Sequence, residues 1–336
     1  GNDIVEVVEE YVQLKRQGRN YVGLCPFHEE KTPSFTVSKE KQIYHCFGCG
    51  KGGDVIQFLI ELENFSFSQA LEYLAERIHY TLPVRQKQSS LPKEANQLFT
   101  VYHWLTKYYH HMLKYSDEGK EAREYLYNRG ITDETIDRFQ LGFAPNDSSL
   151  TVAFLKQKDF HLAFLVKNGL LSTQDQQHYV DVFRGRIIFP IHNHLGKPVA
   201  FGGRALGNAE PKYLNSSEHA LFQKSKLLYN FSLAKNHIRK LNEVIIFEGY
   251  LDGLAADQAG MKNVVATLGT ALTEPQAALL NRYVDRVVVC YDGDDAGVEA
   301  SFHAATLLKN AGCEVRVSRM KEQLDPDDYI RKYGGE

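Results

Sequence analysis

No apolar run in this 336-residue chain approaches the ~20 residues needed to span a bilayer, and no signal-peptide pattern opens it. Neither a membrane-spanning helix nor a secreted route is expected. Absent too is any Gly-x-x-x-x-Gly-Lys-Ser/Thr phosphate loop, which argues against an NTP-hydrolysing motor. Neither charge sign dominates: the formal net charge of −3 gives no uniform affinity for nucleic acid. Cysteine is scarce, at five residues, an odd number. Cys290 follows Val287-Val288-Val289 and Cys313 opens Glu314-Val315-Arg316-Val317, so both read as strand-core thiols. A reduced, cytoplasmic compartment fits that usage. No internal repeat or long low-complexity tract occurs, and the length and 43% hydrophobic content suit two or three globular units.

The remaining cysteines are arranged as Cys25-Pro-Phe-His28 and Cys46-Phe-Gly-Cys49. Two pairs of ligands, each with a two-residue gap and joined by a hairpin-sized spacer, suit one tetrahedral Zn²⁺. All four positions are filled, so the metal is expected to be structural. The spacer supports this: Phe35-Thr36-Val37-Ser38 alternates, Lys39-Glu40-Lys41 turns, and Gln42-Ile43-Tyr44-His45 returns. Gly48, Gly50, Gly52 and Gly53 give permissive backbone around the second pair. His45 is the rival ligand, but it adjoins Cys46 and breaks the paired geometry. Between Tyr11 and Gly53, seven bases face three acids, with Tyr21, Phe27, Phe35, Tyr44 and Phe47 interleaved. Cations for phosphates and rings for unstacked bases are what a single-strand reader needs. Phe35 and Phe47 are instead expected in the small core of the ribbon.

Helices are expected over Asp3–Val12, from an Asp54 cap through Leu62, and over Gln69–Ile78 behind Ser68. The Pro-, Gln- and Ser-rich stretch from Leu82 to Glu94 reads as a tether. Helical pattern resumes over Ala95–Leu113 and Glu121–Arg129. Arg186–Ile191 and Val199–Gly203 then read as strands around a His192–Lys197 turn, where His192 and His194 are expected to be solvent-exposed. After Asn242 strands and helices alternate: Val244–Phe247, Leu251–Ala259, Val264–Ala266, a helix capped by Thr273 and Gln276, Val287–Tyr291, Ala296–Leu308 and Glu314–Val317. Such alternation implies a parallel sheet covered on both faces.

In a parallel sheet every strand ends on the same edge. Glu248 follows the first of these strands, Asp292 and Asp294 follow Val287–Tyr291, and Asp325 and Asp327 come a short loop after Glu314–Val317. Asp252 lies one helical turn from Glu248. Carboxylates so gathered need cations, and hard oxygen donors describe Mg²⁺ or Mn²⁺, ions that serve phosphoryl transfer. Gly249 and Gly293 are expected where the backbone bends beside each acid. Arg204, Lys212, Lys224 and Lys226 supply positive charge ahead of this unit.

Taken with Gly18-Arg19-Asn20-Tyr21, Phe183-Arg184-Gly185-Arg186, Phe201-Gly202-Gly203-Arg204 and Pro211-Lys212-Tyr213-Leu214-Asn215-Ser216, these motifs make the chain resemble bacterial replicative DNA primases of the DnaG type. Glu248-Gly249-Tyr250-Leu251-Asp252, Asp292-Gly293-Asp294 and Asp325-Pro326-Asp327 resemble a TOPRIM module. The resemblance implies a multidomain α/β protein: a zinc ribbon over 1–82, a linker over 83–94, a mixed α/β part of an RNA polymerase domain over 95–241, a TOPRIM subdomain with a parallel βαβ sheet over 242–330, and the start of a truncated helical part at 331–336. It further implies synthesis of short RNA primers from NTPs on single-stranded DNA, through an RNA primer/DNA hybrid, in the bacterial cytoplasm. Glu248, Asp292 and Asp294 would be catalytic, and Asp252, Asp325 and Asp327 would join them in holding Mg²⁺ or Mn²⁺. Arg129, Arg204, Lys212, Asn215 and Lys224 would contact nucleotide or template. A replicative helicase partner would bind through a C-terminal domain outside this chain. Two other readings stand beside this one: a TOPRIM nuclease or topoisomerase, and a non-enzymatic zinc-ribbon DNA-binding protein.

Overall fold

The computed structural model describes residues 2–334, except 29, 64, 66, 79, 81–92, 174, 176, 208 and 319–323. It opens with α1 (Ile4–Val8), capped by Asp3, whose carboxylate accepts from the Val5 amide at 2.9 Å. This helix stops four residues short of the expected Val12, because Tyr11 and Val12 turn inward and are buried. Five antiparallel strands follow in sequential order, β1 (Lys15–Gln17), β2 (Asn20–Gly23), β3 (Phe35–Ser38), β4 (Ile43–Cys46) and β5 (Gly52–Gly53). The period of two places Phe35, Val37, Tyr44 and Cys46 inward, against Phe58 and Leu59 of α2 (Val55–Glu63). Next comes α3 (Phe67–Arg77), so Ser68 lies inside that helix and not at its cap. Of the tether expected at 83–94, residues 83–92 lie outside the described residues, and the last two already belong to α4 (Lys93–Tyr115).

The middle of the chain adds α5 (Lys120–Asn128), α6 (Asp133–Arg138), β6 (Gly142–Ala144), α7 (Ser148–Gln157), α8 (Leu162–Lys167), the hairpin β7 (Leu171–Thr173) with β8 (Tyr179–Asp181), then β9 (Arg186–His192), β10 (Pro198–Ala205) and β11 (Tyr213–Asn215). Strands β11, β10, β9 and β6 form an antiparallel sheet in that order, and α4 packs along it. In the β9–β10 turn, Asn193 Oδ1 accepts from the Leu195 and Lys197 amides at 3.0 Å each. The two histidines of this turn are half-buried, not solvent-exposed. Burial pushes both down to about 4, and the His194 ring meets Phe231 edge-on at 5.3 Å.

The last unit contains α9 (Phe231–Leu241), β12 (Glu243–Phe247), α10 (Tyr250–Gln258), β13 (Val264–Ala266), α11 (Glu274–Tyr283), β14 (Arg286–Val289), α12 (Asp295–Ala311), β15 (Glu314–Val317) and α13 (Pro326–Tyr333). The sheet order is β13-β12-β14-β15, parallel throughout. Alternation along β12 sends Phe247 toward α10 and the antiparallel sheet, and Val244 and Ile246 toward α9, α11 and α12. Both faces are therefore covered. Thr273 and Gln276 form the expected capping box, and Gly312 ends α12 in the left-handed conformation. Helix α13 runs across the boundary expected at residue 330. Among the described residues no helix is long and apolar enough to cross a membrane.

The ribbon rests against this last unit. The Gln13 amide donates to the Arg282 carbonyl at 3.1 Å. Tyr11, Pro26, Leu62 and Glu63 face His194, Leu279, Arg282 and Tyr283 across a cavity of about 80 Å³.

Candidate functional site

Cys25, His28, Cys46 and Cys49 each present a ligand atom within 4.8 Å of the other three. Cys25 Sγ lies 3.8 Å from Cys49 Sγ, and Cys46 Sγ lies 3.8 Å from His28 Nδ1. Zn–S bonds near 2.3 Å in a tetrahedron require sulfurs about 3.8 Å apart, so the donor set fits one structural zinc. His45, on the outer face of β4, is not in the group. Glu30 belongs to no ligand motif, yet it supports the site. Its carboxylate faces His28 Nε2 at 3.2 Å and accepts from the amides of Cys25 and Ser34 at 2.7 and 3.0 Å and from the Ser34 hydroxyl. Burial works against its charge, but these hydrogen bonds hold the carboxyl below its ordinary range. Gly48 is required by contact: a Cβ there would stand 2.6 Å from His28 Nε2. Phe35 is a core residue as expected; Tyr44, read with the rings for unstacked bases, is buried beside it instead, and Phe47 is 76% exposed, contrary to expectation, with the His45 ring edge-on at 4.8 Å.

The expected acids meet, except that Asp294 stands beside the cavity and outside its lining. Glu248, Asp252, Asp292, Asp325 and Asp327 line one cavity of about 360 Å³, opposite Arg129, Lys212 and Asn215. Glu248 directly follows β12, whereas β14 ends at Val289, and Cys290 and Tyr291 lead from it to Asp292. Asp252 sits in the first turn of α10, buried, and its Oδ1 accepts from the Asp327 amide at 3.1 Å. Gly249 is extended, not bent. It is needed because a Cβ would approach Asp252 Oδ2 to 2.5 Å. The carboxylate oxygens of Asp325, Asp327 and Asp328 lie within 4.8 Å of one another.

Crowding is visible in the proton affinities. Burial first, then Asp292, Asp327 and Asp325, push Asp252 up to about 8. Burial, then Glu248, Asp325, Asp294 and Asp327, push Asp292 up to about 6. Glu248 is raised by burial and by Asp294. Asp327 is raised by burial, although Arg129 Nη1 donates to its Oδ2 at 2.6 Å and pulls the other way. Buried carboxylates without enough cations are the donor set that a hard divalent ion fits. Asp294 plays a second part: its Oδ1 caps α12 by accepting from the Gly297 amide at 2.7 Å.

The basic residues divide. Arg129 and Lys212 line the cavity. Asn215 lines it while tied at both ends, its Nδ2 donating to the Leu268 carbonyl at 2.7 Å and its Oδ1 accepting from the Tyr250 hydroxyl. Arg204 stacks over the Tyr125 ring at 3.9 Å, outside the lining. Lys224 stands in a 3₁₀ turn, also outside it, and its carbonyl accepts from Gln276 Nε2 at 3.2 Å.

Three family models match this chain: a CHC2 zinc finger over residues 1–90, the N-terminal domain of the DNA primase catalytic core over 108–235, and a Toprim-like domain over 245–330. The DNA primase of Halalkalibacterium halodurans is 51% identical over 99% of this chain and 56% of its own length. That of Geobacillus stearothermophilus is 48% identical over 100% of this chain and 57% of its own. The chain thus spans little more than half of these relatives. The zinc-binding and RNA polymerase domains of the Aquifex aeolicus primase superpose with a TM-score of 0.68 at 38% identity, over 99% of this chain and 81% of that one. A DNA primase domain from Pseudomonas aeruginosa gives 0.64 at 36% identity, over 70% and 75%.

Proposed function

Because the chain belongs to the DnaG-type bacterial DNA primases, we propose that it synthesises short RNA primers from NTPs on single-stranded DNA. The observation that carries this reading is the cavity in which five carboxylates face Arg129, Lys212 and Asn215. Asp292, Asp294, Asp325 and Asp327, with Glu248 and Asp252 beside them, are the residues that would hold Mg²⁺ or Mn²⁺, which when bound neutralises phosphate charge and polarises the reacting oxygens. Arg129 and Lys212 orient the triphosphate by charge-assisted hydrogen bonds. A 3′-hydroxyl attacks the α-phosphate, the new O–P bond forms, and the bond to the β-phosphate oxygen breaks as pyrophosphate leaves. Glu248, whose proton affinity is raised, is suited to accept the hydroxyl proton. Arg204 and Lys224 belong to the approach to the cavity, where they meet template.

The zinc-clipped ribbon, with exposed Phe47 and exposed Lys31 and Lys41, is assigned to template capture. We place the ribbon domain at 1–82, the first part of the polymerase domain at 95–241 and the TOPRIM subdomain from 242.

Incubation with single-stranded DNA, NTPs and Mg²⁺ or Mn²⁺ tests the reading directly. RNA product supports it, cleaved DNA favours a nuclease, and a bare gel shift favours a binding protein. Asp292→Ala is expected to abolish synthesis with an unchanged circular dichroism spectrum; wild-type yields from that variant would refute the metal-site assignment. Zinc chelation is expected to impair initiation more than extension of a preformed primer.

A further inference from the structure

Gln258, the last residue of α10, is exposed, and an exposed glutamine ordinarily gives its amide to water. This one gives it to the chain. Its Nε2 donates to the Gly130 carbonyl at 2.8 Å. Its Oε1 accepts from the Thr132 amide at 3.0 Å and from the hydroxyls of Thr135 and Thr132 at 2.6 and 3.2 Å. The Gly130 carbonyl and the Thr132 amide belong to the two peptide groups that flank Ile131. Gln258 therefore clamps the turn that begins immediately after Arg129, where Gly130 takes a φ of 75° and ends α5. Beside it, buried Asp257 pairs with Arg138 of α6 at 3.2 Å, so the end of α10 grips both sides of the turn.

Arg129 is one link in a closed circuit. Asp252, in the first turn of α10, accepts from the Asp327 amide at 3.1 Å, and Asp327 accepts from Arg129 Nη1 at 2.6 Å. The turn behind Arg129 then returns through Gln258 to α10. Asp252, Asp327 and Arg129 all line the cavity of carboxylates, whereas Gln258 is outside the lining. Positions 252 and 258 ride on one helix, about 9 Å apart along its axis. That helix fixes the separation between a buried acid and the turn that carries the guanidinium. A guanidinium sits on a long stem with many rotamers, so its reach depends on where its backbone is held.

We propose that Gln258 is a positioning residue for Arg129: by clamping the Gly130–Thr132 turn to α10, it holds the guanidinium where a polyphosphate is gripped beside the carboxylates. The inference deepens the reading of Arg129 as a triphosphate contact and rests on it.

Calorimetric titration of the full chain in Mg²⁺, with ATP and with inorganic tripolyphosphate, tests this. The variants are Gln258→Met, which keeps the shape and removes donor and acceptor together, Arg129→Ala, and the pair combined. Loss of a charge-assisted hydrogen bond predicts a roughly tenfold or greater fall in affinity for Arg129→Ala. A displaced guanidinium forfeits part of that, so Gln258→Met is expected to lose roughly three- to fivefold for both probes alike. In the Arg129→Ala background Gln258→Met should add nothing. In primer synthesis the same change should raise KM for NTPs and leave kcat in place. Thr135→Val removes one bond to the same oxygen but leaves both turn peptides held. It should lower the melting temperature without moving either affinity, which separates positioning from stability. Independent losses in the combined variant would overturn the proposal, as would unchanged affinity in Gln258→Met or an equal fall in Thr135→Val. A wild-type chain that binds no tripolyphosphate overturns it too, since Arg129 then grips no phosphate. Coupled losses in a chain that makes no RNA sink the synthesis reading alone; RNA synthesis with independent losses sinks the role of Gln258 alone.

Discussion

Arg129 reaches across 198 residues of sequence to Asp327, its Nη1 donating to Oδ2 at 2.6 Å. Asp327 is 3% exposed, and the guanidinium also leans on the Tyr125 ring. The pair fastens α13 to the end of α5 and supplies the one cation in direct contact with the strand-end acids among the described residues.

Removing one partner of such a pair strands the other. Arg129→Ala is expected to cost about 2 kcal/mol in urea denaturation. Adding Asp327→Asn should recover much of that loss, since the buried charge goes with it. Additive effects in this double-mutant cycle would mean that the two side chains do not support each other.

The crowded acids tie divalent-ion binding to pH. Asp252 and Asp292 have proton affinities raised to about 8 and about 6. Their contribution to metal-free stability is therefore complete below the ordinary carboxylate range. It is lost as pH climbs through 6 and then 8, because the folded state must give up protons it favours. Mg²⁺ should raise the melting temperature more at pH 9 than at pH 6. An identical gain at both values would show that these groups do not hold the ion.

Glu30 orients His28 from behind and fixes which ring nitrogen faces the sulfurs. Glu30→Gln is expected to weaken zinc binding by roughly 10- to 100-fold in competition with a chelator, while Glu40→Gln on the exposed turn leaves it alone.

At the ribbon's contact with the parallel-sheet unit, burial pushes Glu63 up to about 7, with Lys235 pulling it down. The contact favours the protonated acid, so it is tightest below the ordinary carboxylate range and loosens as pH rises through 7. His194, displaced to about 4 by burial, has finished titrating before that window. Corrected for intrinsic rate, exchange of the Gln13 amide should quicken between pH 6 and 8, and Glu63→Gln should flatten that slope.

Much of this architecture was legible because the residues concerned obey short-range rules. The ligand spacing picked His28 over His45, and strand-end position gathered acids from three separate loops. What escaped depends on distant neighbours. Phe47 has the composition of a core residue, but it follows β4 where the chain leaves the ribbon's interior, so it points to solvent. His192 and His194 lie in a turn, yet α9 covers the turn, with Lys235 Nζ donating to the His194 carbonyl at 3.2 Å. Glu30 carries no motif, and Asp294 serves as a helix cap as well as a neighbour of Glu248, a double use that spacing cannot reveal. Arg204 and Lys224 stand outside the cavity lining, Arg204 with its guanidinium over the Tyr125 ring and Lys224 held in a 3₁₀ turn whose carbonyl accepts from Gln276.

The Asn215 amide, bound by Tyr250 on one side and the Leu268 carbonyl on the other, latches the last strand of the antiparallel sheet to the first helix beyond β12. The backbone that carries Asn215 is thereby held against the helix that carries Asp252. A looser cleft would surrender that conformational freedom each time a ligand arrived; here this wall is ordered beforehand, and less of the binding free energy goes to arranging it.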